Sequence, residues 1–410
     1  MQNNKNKLLL ILSIVGPGLI TVNAGNDAGG IATYSTVGAS FGYKMLWGLL
    51  LITFSLAVIQ EMNARMAVVT GKGLSDLIRE NFGMKWSVFA MLTLFIANFG
   101  VCVGDFAGVA ASLELFGISK YISVPVVAIL VWLLITKGTY STAEKVFLAF
   151  TLVFFTYIIT CFKVKPVWSE VFRSLVTPTL EFDKTFILTF IGMIGTTITP
   201  YMQFYLQSSI VEKGISIENY KYEKLDVYLG AIWGDLVSFF IIVCTAVTLY
   251  QAGIHIESAE EAAAALRPLA GNYASLLFAT GLLGASILAV TIIPLSTTYA
   301  ICESFGFERG VNHQMHEAPA FYSIFTFMVF FSAALTLIPD LSLVHIMLLT
   351  QQIAGILSPV ILVFMIILIN KKDVMGHYVN NRMQNLIIWI TVIFIVSLSL
   401  MLLVFPFISI

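Results

Sequence analysis

Charge is scarce in this chain, and histidine scarcer. Of 410 residues only 11% are Asp, Glu, Lys or Arg and five are histidine, whereas 58% are hydrophobic and the mean hydropathy is +0.91. A surface so poor in charge does not belong to a water-soluble globule, so the composition implies an integral membrane protein in contact with lipid, which the apolar spans below make all-α. The four cysteines, Cys102, Cys161, Cys244 and Cys302, lie in or beside apolar segments without paired spacing, so no disulfide framework or thiolate metal site is implied. Phosphate-binding glycine loops, nucleophile elbows and His-Glu-x-x-His motifs are lacking too. Neither an enzyme nor a nucleotide-driven pump is expected, and no resident cofactor or nucleic-acid partner. The first apolar stretch starts at Leu8 behind Lys5 and Lys7 and has no small-residue cleavage site, so it reads as part of the mature chain.

What is present is apolar sequence in lengths suited to a bilayer. Counting stretches of about 20 apolar residues gives eleven spans: roughly 8 to 40 with a break, 45 to 69, 87 to 115, 120 to 137, 144 to 163, 184 to 212 with a break, 225 to 250, 272 to 305, 319 to 338, 342 to 370 and 385 to 407. With the N-terminus inside, one side collects fifteen lysines and arginines (among them Lys72, Arg79, Lys213, Arg309 and Lys371) against seven on the other (Lys44, Lys120, Lys163, Lys165, Arg173, Lys184 and Arg267). This bias predicts a multi-pass protein of the cell membrane with a cytoplasmic N-terminus and an external C-terminus.

Two spans are interrupted. The first carries Thr21-Val-Asn-Ala-Gly-Asn-Asp-Ala-Gly-Gly30 at mid-membrane, a poor uninterrupted helix with an aspartate that needs compensation at that depth. A bound cation is the natural compensation for Asp27, with carbonyls of the unwound backbone near Ala24 and, in the sixth span, Thr199 as further ligands; a protonated, packed aspartate is the plainer alternative. The sixth carries Gly192, Gly195 and Pro200, where proline removes a backbone donor. A ligand-free kink is the plain reading of Pro200 alone. Two breaks five spans apart predict a 5+5 inverted repeat in one transmembrane domain covering 1–410, with repeats over 1–163 and 184–370 and a peripheral helix over 385–407.

The residues around these breaks are familiar. Gly16-Pro17-Gly18, then Asp27-Ala28-Gly29-Gly30-Ile31-Ala32-Thr33, then Phe41-Gly42-Tyr43-Lys44-Met45-Leu46-Trp47, resemble the first span of the Nramp divalent-metal transporters, with its Asp-Pro-Gly-Asn-Ile-Ala-Thr motif. Ala64-Arg65 through Val69-Thr70-Gly71-Lys72 resembles the end of the family's second span. Leu349-Thr350-Gln351 with Pro359 and Lys372-Asp373-Val374-Met375-Gly376 resembles its tenth. Thr199-Pro200 and Tyr205-Leu206-Gln207-Ser208 are similar to its Met-Pro-His and Tyr-Leu-His-Ser, with one extra residue between them. The resemblance implies a leucine-transporter-type fold with helices one and six broken, and an ion held by the motif aspartate and asparagine, the sixth-span methionine and backbone carbonyls.

The departures carry information. Asparagine is replaced by Gly30 and methionine by Thr199, which exchanges a soft thioether for a hydroxyl and leaves oxygen donors around a roomier site. Magnesium keeps several waters and uses one or two carboxylates, so the pattern resembles the prokaryotic Nramp-related magnesium transporters. Tyr201 and Gln207 replace the two sixth-span histidines, and all five histidines fall in loops or at span ends, so no imidazole relay is expected at mid-membrane. Asp105, near the family's acidic proton-path position, and Asp235 are the other intramembrane carboxylates; each reads as a proton carrier, a partner behind the ion's ligands or a packing acid.

Gln203, Gln207 and Gln351 would hold the ion's water shell or bond to neighbouring helices, and Asn23 and Asn26 would cap freed backbone groups. Glu257, Glu260 and Glu261 read as a solvated external loop cluster. The expected function is import of Mg²⁺, and also of Mn²⁺, by alternating access without proton coupling. The potential alone is worth about 4.6 kcal/mol per 100 mV for two charges. A proton-coupled Mn²⁺/Fe²⁺ transporter and a non-transporting metal-sensing membrane protein are the alternatives, and monomer is the expected state.

Overall fold

A computed structural model describes residues 25–137, 155–311 and 314–404. Asn23, Ala24 and His313, the first half of the first span and residues 144–154 of the fifth lie outside the described residues. All regular structure within them is helical. Among the described residues eight helical stretches are long and apolar enough to cross a membrane, the sixth span taken as one across its break. The fourth span (Lys120–Thr136) is a shorter apolar helix, and the described parts of the first and fifth are Ala28–Phe41 and Phe155–Val164, so helices occupy all eleven expected positions.

The sixth span is two helices, Lys184–Thr197 and Pro200–Glu212. Ile198 (φ −114°, ψ 60°) and Thr199 (φ −72°, ψ 137°) leave the helical region between them, and Pro200 begins the second half, where its missing N–H is no loss and its fixed φ suits a helix start. The first span is interrupted at Asn26 and Asp27, the latter extended (φ −72°, ψ −176°), and Ala28 restarts the helix. Both breaks are fully buried.

Spans one, six and ten meet at the centre. A Cβ at Gly195 of the sixth would fall 2.0 Å from the Gln351 carbonyl oxygen and 2.5 Å from the Gly355 amide nitrogen of the tenth, so these helices cross at backbone contact, as small residues permit in membranes. The most hydropathic stretch of the sixth is 89% buried and that of the eleventh only 22%. The eleventh (Arg382–Val404) is therefore peripheral, leaning on spans two and six through Trp47, Phe190 and Phe394 and a 2.7 Å bond between Ser55 and Thr391.

Span counting passed over the short loop helices, three of them of six residues or more, because it scores apolar length rather than amphipathic period. Leu74–Phe82 buries Leu74, Leu77 and Ile78 on one face, Trp168–Val176 buries Val171, and Ala259–Ala264 starts with a capping box of Ser258 and Glu261. At the lysine- and arginine-rich end, Arg65 donates to the Tyr378 and Val379 carbonyls (3.0 and 3.1 Å), to Asn380 and to Glu61, which also accepts from Tyr220 and Gln384. This buried knot ties the second span to the start of the seventh and to the link between the tenth and eleventh. Removing one partner would leave an uncompensated buried charge, so the pair holds the link in place.

Candidate metal site

Asp27 is the N-cap of the helix Ala28–Phe41. Its Oδ1 accepts the Gly30 N–H at 2.6 Å, satisfying one of the four donors that a helix start leaves free, at the positive end of the helix dipole. Asp105, in the third span (Met84–Glu114), reaches the same helix start: its Oδ1 accepts the Ala28 N–H at 3.2 Å, while its Oδ2 has no partner. Two carboxylates, 1% and 0% exposed, thus share one helix N-terminus. The four ion pairs among the described residues all lie elsewhere. Desolvated carboxylates without a cationic side chain call for a cation or a proton.

Gln351 of the tenth span (Leu343–Asn370) completes this centre. Its amide nitrogen sits 3.2 Å from both Asp27 oxygens, and its Oε1 is buried without a partner. An amide has a donor and an acceptor end, so a half-turn of the group would present oxygen beside Asp27. Gly30 packs against the Thr196 hydroxyl and the Gly25 carbonyl; a Cβ there would lie 2.8 and 2.9 Å from them. The Gly25 carbonyl, 3.5 Å from Thr196 Oγ1, is one of the backbone oxygens freed by the break.

The other residues singled out in the sequence lie at graded distances from this centre. The Thr199 hydroxyl donates back across the break to the Gly195 and Thr196 carbonyls (3.0 and 2.9 Å), so it closes the end of the preceding half-helix. Gln203 accepts from Asn63 of the second span (Leu46–Thr70) and donates to the Thr199 carbonyl at 3.5 Å. Gln207 is one turn further from the break and donates to the Lys72 carbonyl at 2.9 Å; the structure does not bring it to Asp27. Asp235 is on the opposite flank, buried in the seventh span (Tyr220–Thr245) beside Thr53 with Oδ2 unpartnered. Asn26 connects the two flanks, donating to the Gly234 carbonyl at 3.5 Å and accepting from Ser238 at 3.3 Å.

Three residues near the centre escaped sequence reasoning. The Met202 side chain fills the space in front of Gly25: a Cβ there would fall 1.9 Å from the Met202 Cε and 3.6 Å from its sulfur. Gln60 donates to that sulfur at 4.0 Å, and Gln60 Oε1 and Asn63 Oδ1 are buried without partners. The signal was the run Gln60-Glu-Met-Asn63 inside an apolar span, since polar residues at membrane depth face the protein interior. Replacing Gln351 by alanine is expected to weaken Mn²⁺ binding about tenfold, the equivalent of about 1.4 kcal/mol, in a titration of detergent-purified protein. Unchanged affinity would remove Gln351 from the site.

An all-helical bundle with first and sixth helices broken around a buried acidic centre defines a secondary-transporter fold of the leucine-transporter type, with its 5+5 inverted repeat. Solved structures share it. That of the Eremococcus coleocola manganese transporter with an aromatic bis-isothiourea compound covers 95% of this chain and 86% of that chain, with a TM-score of 0.76 at 21% identity. The nucleobase-cation-symport-1 family transporter Mhp1 covers 95% and 92%, with a TM-score of 0.54 at 15% identity. In sequence, the family model described as natural resistance-associated macrophage protein-like (Nramp) matches residues 18–405, and the chain belongs to the Nramp family. It is similar to proteins named divalent metal cation transporter MntH. The one from Vibrio campbellii is 26% identical over 97% of this chain and 92% of the relative, and that from Caldanaerobacter subterraneus 28% over 69% and 70%. The chain is accordingly a multi-pass membrane transporter, not an enzyme.

Proposed function

We propose that this protein imports divalent metal ions, chiefly Mg²⁺ and also Mn²⁺, by alternating access, driven by membrane potential without proton coupling. One observation carries the metal reading: Asp27 and Asp105 share a buried helix start with no basic side chain paired to either. The names of the relatives, divalent metal cation and manganese transporters, agree with it. Asp27 would contact the ion directly or through a water, with the Gly25 carbonyl and, when turned, the Gln351 amide oxygen beside it; Ala24 would add a carbonyl. Thr199 and Gln203 would border the water shell.

Magnesium is favoured because these donors are oxygens, because Gly30 and Thr199 stand where the family motif has asparagine and methionine, and because a hard, reluctantly dehydrated ion needs few protein ligands. The orientation that goes with import puts the lysine- and arginine-rich end in the cytoplasm, with the N-terminus inside, the C-terminus outside and the repeats over 1–163 and 184–370. The protein would work as a monomer with no resident cofactor.

Met202 supports a second reading within the family, proton-coupled Mn²⁺ or Fe²⁺ import. Its thioether beside Gly25 returns a soft donor to the break, and Asp105 or Asp235 would carry the proton. Proteoliposomes under a negative-inside potential separate the readings. We expect Mg²⁺ influx without internal acidification, and Met202→Ala to leave it within about twofold. Mn²⁺ influx accompanied by acidification, lost in Met202→Ala and without Mg²⁺ influx, would establish the second reading instead.

A further inference from the structure

At the cytoplasmic end, two adjoining cavities of about 160 and 320 Å³ lie between the second half of the sixth span and the eighth span (Ala274–Phe305), sharing Ser208, Glu212 and Tyr299 as walls. Tyr205 joins the upper one to the apolar layer of Tyr201, Met202, Ile292 and Ile293. Ser296, 4% exposed and with no hydrogen-bond partner for its hydroxyl, lines that upper cavity. Glu303 lines the lower one with a carboxylate that is 6% exposed, takes a bond from Ser75 Oγ and lies beside Asp76. Its cationic partner, Arg309 at 3.1 Å, comes from the following loop with a side chain 40% exposed.

We propose that this cavity is a second, cytoplasmic site for a hydrated divalent cation, carried by Glu303 with Glu212 and contested by the Arg309 guanidinium. The proposal rests on metal transport for the identity of the ion. A magnesium ion with six waters occupies roughly 180 Å³ at the volume of liquid water, so the lower cavity admits it without dehydration. Among the described residues no three His, Cys, Asp or Glu side chains come together to strip an ion of its waters; two carboxylates bordering an aqueous space suit outer-sphere binding. Glu303 is buried and held by Ser75, whereas the Arg309 side chain is 40% exposed and comes from the loop after the helix, so an arriving cation can displace the guanidinium without moving the helix. Ser208 borders both cavities and gives the ion's waters an acceptor along the wall leading up to the broken helices. Cytoplasmic metal held here would compete with release from Asp27, a product inhibition built from side chains outside the transport site.

The test is Mn²⁺ binding to the full chain in detergent, followed by electron paramagnetic resonance. Wild type is expected to bind two ions, Asp27→Ala one, and Asp27→Ala with Glu303→Gln none. Arg309→Gln should tighten the weaker ion about tenfold, a gain that misfolding does not produce. A folded, monodisperse Asp27→Ala protein that binds no Mn²⁺, or one whose remaining ion is unmoved by both Glu303→Gln and Arg309→Gln, overturns the proposal. Two ions retained in Asp27→Ala, one of them sensitive to Glu303→Gln, would uphold the cytoplasmic site and place the failure at Asp27.

Discussion

Asp27→Ala is expected to abolish potential-driven divalent-ion influx while leaving a folded protein. The carboxylate is the one charged group of the break itself, and losing a buried charge partner is worth roughly 3 kcal/mol, or about 100-fold in affinity. The fold gives up less. The N-cap bond to Gly30 is worth about 1 kcal/mol, and the substitution also removes a charge from the membrane interior, which offsets that loss. Asp27→Asn keeps an acceptor for the Gly30 N–H but not the charge, so it separates capping from ion binding; influx should fall as far as in Asp27→Ala, with thermal stability at the wild-type level. Flux that survives both substitutions would mean that the acidic pair at this helix start is not the transport site.

Gly195→Val is expected to prevent the protein from assembling. A Cβ at this position meets the Gln351 carbonyl oxygen at 2.0 Å and the Gly355 amide at 2.5 Å. Both are backbone atoms in helices, so no rotamer change relieves the clash and the two spans must part, at a cost of about 3 kcal/mol or more. Separation of these helices also moves Gln351 off Asp27. Gly192, one turn earlier, provides the control: a Cβ there meets Gln352 Cγ at 3.5 Å, an ordinary contact, and alanine is a better helix former than glycine. Gly192→Ala should purify as well as wild type, whereas Gly195→Val should be recovered in low yield with a lowered melting temperature. Equal stability of the two variants would contradict the close crossing.

The architecture could be read from the chain because a bilayer leaves few options: apolar length gives the helices, and glycine with proline or aspartate at mid-length marks where they break. The centre was legible where a residue sits in the break itself, as Asp27 does, or in a recognisable local pattern, as Gln351 does. It was less legible where tertiary rotation decides. Gln203 and Gln207 occupy the same helix face, but four residues carry the second about 6 Å further along the axis, enough to send it to Lys72. Gln60, Asn63 and Met202 sit in stretches that score as plain membrane helix, and only the folded contacts reveal their place at the break. Glu61 and Arg65 present the same difficulty: their spacing marks an (i, i+4) pair, while their bonds to Asn380 and Gln384 join parts of the chain more than 300 residues apart.

The extended backbone at Asp27 also solves a wiring problem. Neighbouring residues on a helix point about 100° apart, whereas along an extended stretch they point to opposite sides. Asn26 and Asp27 use this difference, one reaching Gly234 and Ser238 of the seventh span, the other Gln351 of the tenth. A displacement felt at either contact passes to the other through a single peptide unit, the shortest mechanical linkage a polypeptide can offer.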